Sequence, residues 1–263
     1  MNSMRAVDLL AEARFRKQPM AALPEECRPP EPKVAYNIQK LLVKRLISNY
    51  GGQPVGYKIA CTSKSARDFL KFYEPFYGRL LSPFVKGSPA RLAANAFSMR
   101  VVEPEFAFRI AKDLPASAAP YNMDTVATAV DAVLPAIEIV ETRYIDWTKV
   151  DVPSLIADNG CNGAWVQGLS YPKWEKIDFP AHQVALVVNG KEIRRGRGDA
   201  IMGHPFNALT WLANFLCQQG GGLNAGDLVS TGTCMDVYEA EVGDDIRVDF
   251  GVIGAVELLF EGP

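Results

Sequence analysis

The chain has 263 residues, 48% of them hydrophobic and 22% charged, with a formal net charge of −2. That balance belongs to an ordinary globular protein with enough chain for a substantial core, and it supplies no field to attract nucleic acid or an anionic membrane surface. The five cysteines, Cys27, Cys61, Cys161, Cys217 and Cys234, are odd in number and never in CxxC spacing, which disfavours a disulfide framework and a structural zinc site.

In chain order, "MNSMRAVDLLAEARFRKQPM" spaces Val7, Leu10 and their neighbours as an amphipathic helix and lacks the unbroken apolar core of a signal peptide. No apolar run is long enough to span a bilayer, so the expected address is cytoplasmic, without membrane contact. After the break "LPEECRPPEPK", "AYNIQKLLVKRLISN" predicts a second helix that stops at Gly51-Gly52. From "PVGYKIACTS" onward, short β-like runs are separated by Gly, Pro and Asn. The expected division is a helical N-terminal segment, residues 1–55, and a β-rich body, residues 56–263. "DTVATAVDAV" predicts a helix capped by Asp124. Asn189-Gly190 in "HQVALVVNGKEI" predicts a hairpin, which makes the basic run "KEIRRGR" a hairpin arm rather than a binding patch. "HPFNALTWLANFLCQQGGG" predicts a helix with Pro205 in its first turn.

Two strand-like stretches carry carboxylates among apolar residues. In "VVEPEFAF", residues 101–108, alternation sends Val102, Pro104, Phe106 and Phe108 to one face and Glu103 and Glu105 to the other. That pair is either the solvated face of a half-buried strand or two ligands converging on something positive. Glu138, inside "AVLPAIEIV", poses the same choice: buried, it needs a partner or a metal; on an edge strand, it faces water. Three carboxylates from two strands suit a hard divalent cation, Mg²⁺ or Mn²⁺, which takes oxygen ligands and keeps positions for water and substrate. With His182 and His204 as the whole histidine supply, an imidazole-rich zinc or iron site is disfavoured. His204, before Pro205, reads equally as a helix cap. Lys58 in "PVGYKIACTS" either snorkels to the surface or, near a bound anion, polarises an enolate or moves a proton. A glycosidase pair of Glu103 and Glu138 is disfavoured, since the doublet is redundant for that chemistry and no sugar-stacking aromatic stripe accompanies it.

The segments "GYKIACTSKSA", "VVEPEFAF", "AIEIVETRYIDW", "DNGCNGAWVQG" and "GDAIMGHPFNALTWLANFL", followed by "GGLNAGDLVSTGT", occur in that order. With the N-terminal "MAALPEECRPPEPKVAYNIQ", they resemble the 2-oxopent-4-enoate hydratase / 4-oxalocrotonate decarboxylase family of the fumarylacetoacetate hydrolase superfamily over nearly the whole chain. The resemblance implies an α+β fold: a mixed β-sheet roll or barrel of the fumarylacetoacetate hydrolase type, with residues 56–263 as its catalytic domain and a helical N-terminal segment. It implies Mg²⁺ or Mn²⁺ on Glu103, Glu105 and Glu138, chelating the 2-oxo (or enol) oxygen and carboxylate of a small 2-oxo acid. Lys58 matches the family's active-site lysine. Thr62, Ser63, Gly198, Thr231 and Thr233 fall in segments that close around substrate. Arg79, in "YGRLL", is placed to pair with a second substrate carboxylate or, as the plainer reading, is a surface arginine.

The activity so implied is that of a metal-dependent lyase hydrating a small unsaturated 2-oxo acid, such as 2-hydroxypenta-2,4-dienoate, in an aromatic meta-cleavage-like catabolic pathway. The alternatives are a decarboxylase of an oxalocrotonate-like diacid, a C–C hydrolase of an acylpyruvate, and a non-catalytic member that binds a 2-oxo acid. The resemblance also implies a homo-oligomer and allows association with a neighbouring pathway enzyme. The chain departs from the family at Phe76, where many members carry an Asp and where Glu74 is the nearest substitute. It departs again at Cys161 and Asn162, where many hydratases carry a Ser pair. Both changes remove groups suited to proton transfer or water positioning.

Overall fold

The computed structural model describes residues 2–262. Helices α1 (Ser3–Arg16) and α2 (Pro32–Tyr50) lie where the apolar spacing places them. They bury Leu10, Ile38, Leu42 and Leu46 in one cluster with Leu155 and Ile156 of α5 (Val152–Ala157) and with Phe76 and Cys161. Asn2 caps α1 by accepting from the Arg5 amide, and Gly51 follows α2 at φ 74°. None of the described helices is long and apolar enough to cross a membrane.

Eight strands form the central sheet: β1 (Pro54–Ala60), β2 (Phe76–Leu81), β3 (Val85–Gly87), β4 (Val101–Ile110), β5 (Val130–Val140), β6 (Asn162–Gln167), β7 (Leu228–Thr233) and β8 (Tyr238–Glu239). Their spatial order is β2-β1-β7-β4-β5-β6-β3, with β8 paired to β4. The β1–β7 and β3–β6 pairs are parallel and the rest antiparallel. A second sheet is built from Ala90–Ala93, Gln183–Val188, Lys191–Arg197, Asp245–Asp249 and Ala255–Glu261. Its Val184, Leu186, Ile246 and Val248 pack, together with Leu209 and Leu212 of α6 (Pro205–Gln218), on Val102, Phe106, Phe108, Ile137 and Ile139 of the central sheet.

The other face of the central sheet is buried too. It curls around a small apolar plug of Leu80, Ala107, Leu134, Ala136 and Trp165. Burial on both faces explains why β5 reads as a nearly continuous apolar run. This two-faced burial rules out a solvated strand face for Glu103 and Glu105. Glu138 likewise lies on an interior strand, between β4 and β6. The mixed roll with attached helices is the α+β architecture expected.

The predicted hairpin forms at Asn189-Gly190, both at positive φ (52° and 77°), between Gln183–Val188 and Lys191–Arg197. The helix expected across "DTVATAVDAV" is cut short. α4 spans Met123–Ala127, its cap is Asn122 rather than Asp124, and Thr125 completes a capping box with it. From Val130 the chain is strand, because β-branched Val130 and Val133 pair with β4 and bury in the core. His204 caps α6, its Nδ1 accepting from the Phe206 amide at 3.1 Å.

One close approach fixes the turn 158–161 against β2. A Cβ at Gly78 would sit 2.1 Å from the Asn159 carbonyl oxygen. The same Asn159 accepts from the Arg79 amide (2.8 Å) and donates to the Arg79 carbonyl (3.0 Å). Gly78→Ala is expected to cost about 2 kcal/mol or more, since backbone must move on both sides, as read from the midpoint of denaturant unfolding; an unchanged midpoint would show that the turn is not held there.

Candidate active site

The register of the central sheet assembles an acidic trio. Glu103 stands directly opposite Glu138 across β4 and β5, and Glu105 is the next residue of β4 on that face. Carboxylate oxygens of the three lie within 4.8 Å of one another. Glu105 and Glu138 are fully buried, while Glu103 is half-buried and opens on a cavity. Lys58 comes from β1, two strands away from β4, where it is paired with Ser230 on β7 and Gly78 on β2. At 2% exposure it does not snorkel. Its Nζ donates to the Gly160 carbonyl at 2.9 Å and lies 3.1 Å from Glu138 Oε2, outside good hydrogen-bonding geometry.

Neutral donors hold the outer carboxylate oxygens. Asn162 Nδ2 donates to Glu138 Oε1 at 3.1 Å. Ser230 Oγ donates to Glu105 Oε2 and itself accepts from Trp165 Nε1 at 3.0 Å. Glu105 Oε1 and Glu138 Oε2 remain buried without a hydrogen bond. Orphaned acceptors of this kind are costly. Here they belong to three carboxylates faced by one ammonium.

The electrostatics follow. Burial raises the pKa of each glutamate. Glu105 is pushed furthest, with Glu138 and Glu103 adding like-charge repulsion. Glu138 is raised by burial against the pull of Lys58 and the Asn162 bond. Glu103 is raised by burial to about 7, with Lys58 opposing and Glu138 assisting. For Lys58, burial alone would lower the pKa, but Glu138, Glu103 and Glu105 outweigh it and keep the amine protonated.

The turn that carries Gly160, Cys161 and Asn162 is clamped from two sides. Arg143 donates through Nε, Nη2 and its amide to Asp158. Arg14 of α1 donates to the carbonyls of Asn162 (2.7 Å) and Gly163 (2.9 Å). The N-terminal helix therefore positions a residue that touches Glu138.

A cavity of about 390 Å³ reaches the trio through Glu103. Lys58, Thr62, Ser63, Glu103, Cys161 and Thr233 are among the residues lining it. Three residues with expected site roles are not brought there. Thr231 is buried and donates to the Phe106 carbonyl at 2.7 Å. Gly198 packs on the Phe179 backbone behind the sheet. Arg79 lies on the opposite face of β2 from Phe76, its guanidinium 3.9 Å from the Tyr57 ring centroid. Strict alternation would group Thr231 with Thr233, but the register shifts between Ser230 and Thr233, where Gly232 adopts φ 95°. That irregularity turns Ser230 and Thr233 inward. Phe76 lines the cavity, and Glu74 is exposed and outside its lining, so that turn supplies no carboxylic acid to the cavity. Asn162, read from the sequence as a loss, holds Glu138; its signal was its place in "DNGCNG", beside the expected ligand strand.

A family model described as fumarylacetoacetate (FAA) hydrolase C-terminal matches residues 65–259. The chain is 31% identical over 228 residues to a 2-hydroxyhexa-2,4-dienoate hydratase of Comamonas testosteroni, covering 86% of this chain and 85% of that protein. It is 30% identical over 256 residues to a 2-keto-4-pentenoate hydratase of Paraburkholderia xenovorans (strain LB400), covering 97% and 94%. Among solved structures it resembles 4-oxalocrotonate decarboxylase from Pseudomonas putida G7, complexed with magnesium and adipate, with a TM-score of 0.90 at 24% identity over 99% of this chain and 98% of that one.

The raised glutamates set the pH dependence of the ion-free protein. A carboxylate whose folded pKa lies above its ordinary 4.5, as that of Glu103 does at about 7, favours the fold while protonated. Its contribution is full below the ordinary value and is lost as pH rises through about 7. Thermal stability without divalent ions is therefore expected to fall between about pH 5 and pH 8, and saturating Mg²⁺ to remove the fall, because the cation replaces the protons. Glu105→Gln should raise the ion-free melting temperature near pH 8 and abolish the Mg²⁺-dependent increase. A Mg²⁺ shift surviving in Glu105→Gln would disprove its place in the ion site.

Proposed function

The chain belongs to the fumarylacetoacetate hydrolase family, and on that premise we propose that it is a metal-dependent lyase that hydrates a small unsaturated 2-oxo acid. One observation carries the reading: a trio of glutamates that keeps two buried carboxylate oxygens without a hydrogen bond, one of them 3.1 Å from the Lys58 ammonium, and that reaches a cavity through Glu103. An all-carboxylate donor set fits a hard divalent cation, and Glu103, Glu105 and Glu138 would hold Mg²⁺ or Mn²⁺. When bound, such an ion supplies Lewis-acid stabilisation for the negative charge that develops on the 2-oxo oxygen. The hydratase relatives support a 2-hydroxydienoate as substrate.

The chain's own groups divide the remaining work. Lys58 carries its proton on Nζ at neutral pH and offers it at the charged end of the cavity, as an acid and a local positive charge rather than as a base. Thr62 and Ser63 present hydroxyls to the cavity that can orient the substrate carboxylate, whereas the Thr233 hydroxyl donates to the Met235 carbonyl. In hydration, the dienol gives up its hydroxyl proton and gains one at the terminal carbon, forming the conjugated ketone. Water then adds its hydroxyl to the carbon distal to the carbonyl and a proton to the carbon between. Asn162 and Ser230 keep the acidic side chains in place throughout, each occupying one carboxylate oxygen.

A second reading keeps the site and changes the bond broken. Decarboxylation of an oxalocrotonate-like diacid is supported by the near-complete overlay on the Pseudomonas putida G7 decarboxylase. The family reading further proposes self-association and contact with a neighbouring pathway enzyme.

With Mg²⁺ and freshly generated 2-hydroxypenta-2,4-dienoate, diene absorbance is expected to disappear, and the product to be the 4-hydroxy-2-oxo acid. Loss of CO₂ from the diacid, without turnover of the dienoate, would select the second reading. Lys58→Met should lower kcat about 100-fold or more, in the range of a lost acid–base group, while changing Mg²⁺ affinity much less. Equal losses in both would make Lys58 a structural partner of Glu138.

A further inference from the structure

The cavity is chemically two-sided, and the sheet register shows where it changes. On β4, Glu103 is followed along the same face by Val101 and then by Met99 beyond the strand. On β5, Glu138 is followed by Val140, which pairs with Val101. On β1, Lys58 is followed by Ala60, which pairs with Phe76 of β2. These three steps run in one direction, since β1 and β5 are both antiparallel in sense to β4. Each strand thus exchanges a charged residue for an apolar one two positions along. Beyond that line the lining is dominated by Phe69, Leu70, Phe76, Met99, Trp147 and Leu155, with Ser65 and Thr142 as uncharged polar members. Phe69 of α3 (Lys64–Leu70) is 55% exposed and meets Trp147 at 5.3 Å between ring centroids, so the two rings stand at the cavity's rim.

Cations are missing from this half. Among the described residues lining the cavity, Lys58 carries the sole positive charge, and it is engaged by the Gly160 carbonyl and Glu138. Arg67 of α3 donates to the carbonyls of Thr62 and Ser63, and Arg79 is on the far face of β2 against Tyr57. The exposed charge at the rim is that of Asp236, which is negative.

We infer that the outer half of the cavity is a subsite for an uncharged, apolar tail, so that the substrate is a monocarboxylic 2-oxo acid or dienol extended by an alkyl or aryl group. Phe69, Phe76 and Trp147 are its specificity-determining residues. The inference rests on the metal-dependent 2-oxo-acid reading. A tail ending in a carboxylate would lose its water without gaining a cation and would approach Asp236. A tail of methylenes would gain the transfer free energy of apolar burial.

The test is calorimetric binding to the Mg²⁺-loaded protein of pyruvate, 2-oxobutanoate, 2-oxopentanoate, 2-oxohexanoate and 2-oxoadipate. Affinity is expected to rise about fourfold per methylene from pyruvate to 2-oxohexanoate. 2-Oxoadipate, of the same chain length but charged at its end, should bind at least about tenfold more weakly than 2-oxohexanoate. Phe69→Ala should flatten the series, and Phe69→Arg, at an exposed position, should narrow the gap between 2-oxohexanoate and 2-oxoadipate. A series without a length dependence, or tighter binding of 2-oxoadipate by the unaltered protein, overturns the apolar subsite and leaves the head-group reading standing. No Mg²⁺-dependent binding of any of the five overturns both. Turnover of dienoates bearing hydrogen, alkyl or carboxylate at the terminal carbon should rank in the same order by kcat/KM.

Discussion

Three glutamates packed against one lysine inside a β-roll are the interaction around which the rest of this structure is arranged. Left to themselves, like charges at such distances in a dry interior raise one another's pKa and cost stability. The chain meets that cost in layers. Lys58 places a positive charge against Glu138 and stays protonated because the trio holds it so. Asn162 and Ser230 satisfy one oxygen each. Two buried oxygens still lack a hydrogen bond, and one ammonium faces three carboxylates, a balance that an entering divalent cation would complete.

Geometry of this kind needs rigid support, and the support comes from outside the two strands that carry the glutamates. The turn 158–163 supplies a carbonyl to Lys58 and an amide to Glu138. It is tied to Arg143 through Asp158, to Arg14 through two backbone carbonyls, and to β2 through the close approach at Gly78. The buried Arg143–Asp158 pair ties that turn to the end of β5 through three hydrogen bonds. The N-terminal helices belong to the same apolar cluster as Phe76 and Cys161, so that helical segment and cavity wall share a core.

Much of this was legible in the residues. The alternation of "VVEPEFAF" puts both glutamates on one face, and the hairpin at Asn189-Gly190 follows from two positions that accept positive φ. The helices α1, α2 and α6 follow from apolar periodicity and their terminators. The failures share a cause. Asp124 looked like a cap because the competing Asn122–Thr125 box depends on side-chain geometry. Thr231 and Gly198 were grouped with the site because a motif does not reveal a bulge or the side of a sheet. Arg79 was offered a carboxylate partner, but the parity of β2 turned it toward Tyr57.

By itself the sequence determined that Glu103 and Glu105 share a strand face, where α1, α2 and α6 run, and that the acidic residues would have to be either exposed or paired with positive charge. Those are consequences of local periodicity and residue chemistry. The tertiary structure decided between the two options, because burial of the second face of the sheet and the opposition of Glu103 to Glu138 are set by long-range strand pairing. It also decided that Lys58 points inward and that the cavity turns apolar beyond its charged end, since both depend on the register between strands far apart in the chain.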